Sequence, residues 1–379
     1  MRRKIRILLT GGGTGGHIFP LVAVAEALRK VQGANIKLFY LGPTSPLNEE
    51  LEKNDVKIYK LASSKLRRYF DLQNILDIPK FFWSLFQAII KMYFLMPDVV
   101  FSKGGPGAFP VVLAARFYFI PVIIHESDAV PGLTNRISSK LAKRIAISFS
   151  STQKYFSQKK TFLAGNPVRE VFFREDLLNA SEAKNHVSFS DKEPLLLVLG
   201  GSQGSETINS FVLDNLGGLL QVSQIYHQVG LNNFEKFKDS LEPIFKNLEE
   251  SARRRYRAVP FLDLEALKGA LNAADIVISR AGSGAIFEIA SFGKPSILVP
   301  LRTAANDHQK ANAYEYADSG ASIVIEENNF TINLLLVQIK NILEDKEKYR
   351  AISEAAKKFF RPDAAETIGQ EIVKIALRK

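Results

Sequence analysis

Residues suited to phosphate and proton chemistry stand together near the start of the chain. An apolar run at 4–10 leads into GGGTGGH at 11–17, and a helical pattern begins at about Phe19. A glycine-rich turn between strand and helix lets the backbone approach a ligand and points unpaired helix N–H groups at an anion. A neutral imidazole there is placed to accept a proton from a substrate hydroxyl, although a polar first-turn residue explains His17 equally simply.

A second segment with the same pattern lies in the other half of the chain. The apolar run 195–199 leads into GGSQGS at 200–205 and then into another helix. Two such turns predict two α/β domains that hold one phosphorylated substrate set across a cleft. The first turn fits the dinucleotide fingerprint at Gly11, Gly13 and Gly16, but the next strand ends in YLGP at 40–43 without a ribose-binding acid. A nicotinamide cofactor is therefore not predicted.

Other strand ends of the first half also carry polar residues. SKGGPG at 102–107 is a further glycine-rich loop, and its lysine suits a second phosphate group. His125 and Glu126 end another strand, and Asn135 falls in the next helix. The carboxyl ends of parallel strands share one edge, where open α/β sheets bind their ligands. The convergence of these residues on one edge favours a functional site.

The second half offers groups that suit a nucleotide sugar. Glu288 follows a strand within SRAGSGAIFE at 279–288, where a carboxylate can accept both hydroxyls of a ribose. The run NDHQKAN at 306–312 opens a helix and suits sugar hydroxyls; helix capping by Asn306 or Asp307 explains only part of it. No Asp-x-Asp and no metal-spaced histidine pair occur, so we predict that helix N-termini and cations, not a metal, meet the leaving-group charge.

Short apolar runs alternate with helical patterns along the whole chain, as in parallel sheets covered by helices. We predict a first domain at 1–164, a second at 165–361, and a C-terminal helix at 362–379 that packs back on the first domain. The charged stretch 174–193 is predicted to have little regular structure. Besides 4–10 and 195–199, the strand candidates are 36–41, 99–101, 122–125, 144–148, 225–228, 257–260, 276–279, 296–299 and 322–325.

Composition narrows the class of protein. The 379 residues exceed what one core usually supports, and 46% hydrophobic with 23% charged residues is ordinary for a globular chain. The absence of cysteine excludes disulfides and a cysteine nucleophile. The formal charge of +11 favours an anionic partner, and the dispersed basic residues favour a membrane or a diphosphate over nucleic acid. The N-terminal apolar run is too short for a signal peptide, which predicts a cytoplasmic location.

The segment 65–96 combines cations with aromatic residues. Lys65, Arg67 and Arg68 precede Tyr69 and Phe70, and KFFWSLFQAIIKMYFLM follows at 80–96. Two lysines and a glutamine make it a poor transmembrane candidate. Packing on the sheet and contact with an anionic membrane surface are both open, and one helix can do both with opposite faces.

Taken in order, these motifs make the chain resemble the MurG family of N-acetylglucosaminyltransferases of peptidoglycan synthesis. Each motif alone is weak, but the ordered set spans both halves and is specific. The matching runs are GGGTGGHIFP at 11–20, SKGGPGAFP at 102–110, HESDAVPGLTNR at 125–136, GNPVR at 165–169, LGGSQGS at 199–205, SRAGSGAIFEIASFGKPSILVP at 279–300 and DHQKANA at 307–313.

The resemblance implies a GT-B fold, with two doubly wound Rossmann-like domains and a cleft between them. It implies inverting transfer of GlcNAc from UDP-GlcNAc to the C4 hydroxyl of undecaprenyl-pyrophosphoryl-MurNAc-pentapeptide, without a metal or other cofactor. The polyprenyl-diphosphate acceptor implies a peripheral position on the anionic inner surface of the cell membrane, at its cytoplasmic face.

The resemblance also assigns roles to residues. The catalytic candidates are His17 and Glu126. The second domain would hold the donor, with the turn at 200–204 around the UDP diphosphate, backbone at 261–262 on uracil, and Glu288 on the ribose. The donor residues are Arg169, Ser202, Gln203, Gly204, Phe261, Leu262, Glu288, His308, Gln309 and Asn312; the acceptor residues are Thr14, Gly15, Gly16, Gly104, Gly105, Asp128 and Asn135.

Three positions depart from the family pattern. Asp128 stands where many relatives carry asparagine, Ala285 replaces a hydroxyl residue, and His308 replaces glutamine in some relatives. These departures affect single contacts and leave the family resemblance intact.

Three rival functions fit parts of the pattern. Another GT-B lipid glycosyltransferase lacks support from the runs at 102–110 and 125–135. A UDP-GlcNAc 2-epimerase needs no aromatic-basic segment such as 65–96. A nucleotide-sugar-binding module without catalysis would not need His17, His125 and Glu126, and turnover would exclude it.

Overall fold

The computed structural model describes residues 4–31, 35–62, 73–173, 177–201 and 204–378. The chain forms two compact units, one of Met1–Glu170 with Arg361–Lys379 and one of Val171–Phe360. The structure thus divides the units after Glu170 rather than after Ala164. Residues 165–170 thus belong to the first unit, where Gly165 donates its backbone N–H to the carbonyl of Ile147 on the same sheet.

The first unit is built on a seven-stranded parallel sheet in the order β3-β2-β1-β4-β5-β6-β7. Its helices cover the sheet, and the C-terminal helix α16 packs against α1, with Ile368 and Ile372 fully buried in the core. The strands are β1 Lys4–Thr10, β2 Asn35–Pro43, β3 Val56–Leu61, β4 Val99–Ser102, β5 Val122–Glu126, β6 Arg144–Ile147 and β7 Thr161–Leu163; the helices are α1 Gly15–Arg29, α2 Asn48–Glu52, α3 Gln73–Leu95, α4 Phe109–Phe117, α5 Leu133–Leu141 and α16 Ala364–Leu377.

The second unit repeats this plan with a six-stranded parallel sheet in the order β10-β9-β8-β11-β12-β13. Its strands are β8 Leu195–Leu199, β9 Gln224–Gln228, β10 Tyr256–Val259, β11 Ile276–Ser279, β12 Ser296–Leu298 and β13 Ser322–Val324. Its helices are α6 Ala180–His186, α7 Glu206–Asp214, α8 Leu216–Leu220, α9 Phe234–Asn247, α10 Glu250–Arg253, α11 Leu264–Ala273, α12 Ser283–Ser291, α13 His308–Asp318, α14 Ile332–Leu343 and α15 Lys346–Phe359.

The predicted pair of doubly wound domains is confirmed, because in each sheet the strand order reverses beside the first strand. The reversal lies between β1 and β4 in the first sheet and between β8 and β11 in the second. Thr10 is in register with Ser102 across the first reversal, and Leu199 with Ser279 across the second. Such switch points open a crevice beyond the carboxyl ends of the strands, where ligands bind.

Two sequence expectations need correction. The stretch 174–193 contains a helix, α6, which begins at a complete capping box formed by Asn179 and Glu182. Strand β3 was not predicted because it is an edge strand, whose exposed Lys57 and Lys60 interrupt the apolar run expected of a buried strand.

Candidate active site

At the first switch point, two glycine-rich turns touch each other. The turn after β1 contains Gly12, and the loop after β4 contains Gly104 and Gly105, both with a φ of 86°. A Cβ atom built on Gly105 would lie 3.0 Å from Nε2 of His17 and 3.1 Å from the backbone nitrogen of Gly12. Only glycine combines this left-handed backbone with such close packing, so the geometry requires glycine at positions 104 and 105.

His17 lies in the first turn of α1 and is partly buried. Its Nδ1 is 2.8 Å from Oγ1 of Thr14, which leaves Nε2 toward the glycine loop. Burial, and then the positive charge of Lys103, lowers the pKa of His17 to about 4. The imidazole is therefore neutral at pH 7 and has a nitrogen lone pair for a substrate proton.

The start of α1 is prepared for an anion. The helix begins at Gly15, no side chain caps it through Thr14, and its first turn carries no acidic residue. Gly16 is exposed, and a Cβ atom there would meet nothing within 4 Å. The predicted acceptor residues Thr14, Gly15 and Gly16 thus form an open helix N-terminus with its positive dipole end accessible.

Glu126 is buried at the end of β5 and is held by protein donors. Its Oε1 accepts the backbone N–H of Asp128 at 3.1 Å. Its Oε2 accepts Nδ2 of Asn135 at 3.0 Å and the backbone N–H of Gly132 at 3.1 Å. Burial, and then the negative charge of Asp128, raises the pKa of Glu126 to about 7. These contacts favour a role in holding the 126–135 loop; its catalytic role stays a prediction.

Asn135 links this loop to the glycine loop. Its Nδ2 also donates to the carbonyl of His125 at 3.0 Å, while its buried Oδ1 has no donor among the described residues. A Cβ atom on Gly104 would lie 2.6 Å from that Oδ1. His125 itself is structural, because Nε2 lies 3.1 Å from the carbonyl of Gly165 and 3.0 Å from Oγ of Ser148. The structure brings together five of the predicted residues at one edge of the sheet, as expected: His17, Gly104, Gly105, Glu126 and Asn135.

At the second switch point, the turn after β8 is equally constrained. Gly201 and Gly204 have φ values of 85° and 81°, and a Cβ atom on Gly204 would collide with the carbonyl oxygen of Val229. Gln228 supports the turn, since its Nε2 donates to the Gly201 carbonyl at 3.1 Å. The predicted donor residues Ser202 and Gln203 lie outside the described residues.

Arg280 joins four strand ends of the second sheet. Its Nε donates to Oγ of Ser205 at 3.0 Å, and its Nη1 donates to the Val299 carbonyl at 3.0 Å. Its Nη2 pairs with Glu327 at 2.6 Å. Ser205 in turn caps α7 by accepting the Ile208 N–H. Sequence reasoning did not select Arg280; its position one residue beyond β11 at the switch point is the signal that could have found it.

The remaining donor candidates lie on the same edge of the second sheet. Glu288 is partly buried on α12, and His308 opens α13. Gln309 accepts the Leu301 N–H at 3.0 Å, and the buried Asn312 donates to the Ala281 carbonyl at 3.1 Å. These two amides are thus already used to fix loops, and their predicted sugar contacts stay predictions.

The predicted uracil contact is partly occupied by the protein. Leu262 donates its N–H to Oε1 of Gln228 at 3.0 Å, and the side chain of Phe261 is 40% exposed. The Leu262 N–H is therefore engaged within the fold. Any contact of this segment with a base would use its other groups.

Arg169 and Asp128 complete the predicted set. Arg169 belongs to the first unit, where its guanidinium lies 4.1 Å from the ring centre of Phe19 on α1. Asp128 is partly buried, and its negative charge acts on both His17 and Lys103. Their substrate contacts stay predictions.

Within the described ranges, no group of three or more histidine, aspartate and glutamate side chains is arranged to hold a metal ion. In the same part of the chain, no helix is long and apolar enough to cross a membrane.

Two family models match this chain, one in each unit. The family model of the glycosyltransferase family 28 N-terminal domain matches residues 7–147, and that of the C-terminal domain matches residues 195–368. The chain is 36% identical over 350 residues to the UDP-N-acetylglucosamine--N-acetylmuramyl-(pentapeptide) pyrophosphoryl-undecaprenol N-acetylglucosamine transferase of Clostridium tetani. The alignment covers 91% of this chain and 92% of that protein.

Solved structures show the same likeness. The crystal structure of MurG from Acinetobacter baumannii superimposes with a TM-score of 0.71 at 29% identity, covering 98% of this chain and 99% of that one. The UDP-GlcNAc 2-epimerase of Neisseria meningitidis, bound to UDP-GlcNAc, superimposes with a TM-score of 0.66 at 14% identity over the whole of both chains. At that identity the epimerase shares the fold alone.

Proposed function

The chain belongs to glycosyltransferase family 28, and from that premise we propose that it transfers GlcNAc from UDP-GlcNAc to a polyprenyl-diphosphate-linked MurNAc-pentapeptide. The observation that carries the proposal is the similarity to transferases so named, which extends over nine-tenths of the chain in order. Three features of the structure suit this activity. The first unit has a neutral imidazole and an open helix N-terminus, and the second unit has a glycine-rich turn after β8.

The first unit binds the acceptor. The acceptor diphosphate lies against the start of α1 and the glycine loop at 104–107, whose backbones can approach it closely. Nε2 of His17 takes the proton of the C4 hydroxyl as that oxygen attacks the anomeric carbon. The Thr14 hydroxyl fixes the orientation of the ring during this step.

The second unit binds the donor. Glu288 accepts the ribose hydroxyls, and the turn at 200–204 receives the UDP diphosphate with backbone N–H groups. A single in-line displacement inverts the anomeric configuration, and UDP leaves with its charge met by these groups, without a metal. No other cofactor takes part.

We also propose that α3 holds the protein on an anionic membrane surface as a peripheral protein. Phe82, Phe86, Ile90 and Phe94 recur every four residues and form an exposed apolar stripe, in which Phe94 is 77% exposed. The opposite face of α3 is buried through Ala88 and Met92. The helix therefore packs on the sheet with one face and offers the other to lipid. Lys65, Arg67, Arg68, Tyr69 and Phe70 lie outside the described residues.

Vesicle sedimentation tests the membrane proposal. A Phe86→Ser/Phe94→Ser variant should bind phosphatidylglycerol vesicles about tenfold or more weakly, because two exposed rings no longer leave water. The matched control is Val337→Ser, which removes an exposed apolar side chain of the second unit. Equal loss of binding in both variants would contradict a specific membrane face.

Transfer of labelled GlcNAc from UDP-GlcNAc to a short-chain lipid I analogue, in buffer containing a chelator, tests the function itself. Product is expected, and its anomeric configuration should be inverted. Conversion of UDP-GlcNAc to its 2-epimer without transfer would replace the proposal by epimerase chemistry. Binding of UDP-GlcNAc with neither reaction would leave a binding module.

A further inference from the structure

One side chain of the second unit links two loops that follow different strands. Gln228 is the last residue of β9 and is 5% exposed. Its Nε2 donates to the carbonyl of Gly201, in the turn after β8, at 3.1 Å. Its Oε1 accepts the backbone N–H of Leu262, after β10, at 3.0 Å. Both ends of the buried amide are therefore used, and each end holds a different loop.

The bond to Leu262 anchors an exposed aromatic side chain. Gly230, after β9, donates its N–H to the Pro260 carbonyl at 3.0 Å, so the backbone supports the loop as far as that residue. Two residues later the N–H of Leu262 meets the Gln228 side chain instead. Leu262 is buried, whereas its neighbour Phe261 is partly exposed at the carboxyl edge of the sheet. An aromatic ring at such an edge is suited to stacking on a base.

The turn after β8 also has supports of its own. Gly204 donates its N–H to the Gly201 carbonyl at 3.0 Å, and Ser205 caps α7. Each of the two loops therefore keeps local hydrogen bonds that do not involve Gln228. What the Gln228 amide adds is a fixed spacing between the loops.

We propose that Gln228 is a positioning residue for the nucleotide part of the donor, a proposal that rests on the proposed function. The carboxyl ends of β8 and β10 lie about 10 Å apart, because two inter-strand spacings separate them. A nucleoside diphosphate that places its diphosphate on the turn and its base on Phe261 bridges this gap. Gln228 holds the two loops at the separation that lets one ligand contact both, which lowers the cost of ordering them on binding.

The same strand provides a matched control. Gln224 is the first residue of β9 and is 2% exposed. Its Nε2 donates to the Ser190 carbonyl at 2.8 Å, and its Oε1 accepts the Ser190 N–H at 2.9 Å. It therefore bridges the protein with both ends of its amide, as Gln228 does, but at the opposite edge of the sheet. Gln224→Met removes an equally buried amide without touching the two loops.

Equilibrium dialysis with labelled UDP-GlcNAc, displaced by UDP, uridine or inorganic diphosphate, tests the role of Gln228. Gln228→Met should bind UDP-GlcNAc and UDP about 10- to 100-fold more weakly, the usual size of a coupling between two sites. Uridine and inorganic diphosphate each contact only one loop, so their affinities should change little. Gln224→Met should bind all four ligands as the wild type does.

A second variant, Gln228→Asn, keeps a buried amide but is one methylene too short to reach both loops. It should show the same difference between UDP and the two fragments. Wild-type UDP affinity in both Gln228 variants, equal weakening of uridine or diphosphate, or the same loss in Gln224→Met would each overturn the proposal. Failure of GlcNAc transfer by the wild type, with UDP-GlcNAc binding still dependent on Gln228, would overturn the proposed function and leave this positioning role standing.

Discussion

The two units use the same turn between strand and helix but distribute charge around it in opposite ways. In the first, no side chain caps α1 through Thr14, and among the described residues no side chain forms an ion pair with the buried Lys103. In the second, Ser205 caps α7, Glu206 stands in its first turn, and Arg280 is paired with Glu327. The helix N-terminus of the first unit is therefore open, whereas the cation of the second unit is used to hold its own loops. Similar backbone motifs do not imply similar electrostatics.

The largest expected effect tests whether proton transfer belongs to the first unit alone. His17→Ala should lower kcat by about 10²–10⁴, the usual contribution of a general base, with UDP-GlcNAc affinity unchanged. Steady-state kinetics with a lipid I analogue measure it. The control is His186→Ala, an exposed histidine on α6. If His17→Ala turns over at close to the wild-type rate, His17 is not the general base.

The next effect tests whether Arg280 serves the fold. Arg280→Met should destabilise the second unit by about 3–5 kcal/mol, because it leaves the Glu327 carboxylate without its cation. Urea unfolding measures the loss, and the double variant Arg280→Met/Glu327→Leu should recover much of it. A stable Arg280→Met protein with weak UDP binding would instead give Arg280 a role in binding the ligand.

A smaller effect tests the donor role of the second unit. Glu288→Ala should raise the KM for UDP-GlcNAc about 10- to 100-fold with little change in kcat, since hydrogen bonds to a charged group are lost in ground and transition states alike. Glu354→Ala is the control, because it breaks only an exposed pair with Arg350. An unchanged KM would refute the ribose contact.

The smallest effect concerns stability and pH. Because the pKa of Lys103 is lowered in the folded protein, the unfolded chain binds more protons, and the resulting destabilisation is present at pH 7 and fades as pH rises toward the ordinary lysine value. Lys103→Met should therefore melt slightly higher than the wild type at pH 7, with a difference that shrinks by pH 10. A difference that grows with pH would show that Lys103 is stabilised by its surroundings.

Much of the scaffold could be predicted from the sequence, because strands buried on both faces read as apolar runs. The two glycine turns, and the meeting of His17, Glu126 and Asn135 at one edge, followed from the rule that parallel strands end together. Strand β3 was not predicted because edge strands carry charged residues. Helix α6 was not predicted either, although Asn179 and Glu182 form the sequence pattern of its capping box.

The pairing of charges could not be predicted in the same way. Arg280, Ser205 and Glu327 are far apart in sequence, and nothing in their local patterns indicates that they meet. The hydrogen bonds of Glu126 are likewise a property of the folded neighbourhood, because its carboxylate accepts from Gly132 and Asn135. The register of the strands determines which residue lies beside a turn, but the geometry of the side chains determines whether its charge is paired.

Helix α16 has a consequence for how the protein is made. It supplies Ile368, Ile372 and Ile375 to the core of the first unit, although the whole second unit lies between it and the rest of that core. On a translating ribosome, at about 5–20 residues per second, the first unit waits on the order of ten seconds or more for its closing helix. The first unit is thus the last to mature, and a chain that stops before Arg361 would have a finished second unit and an incomplete first core.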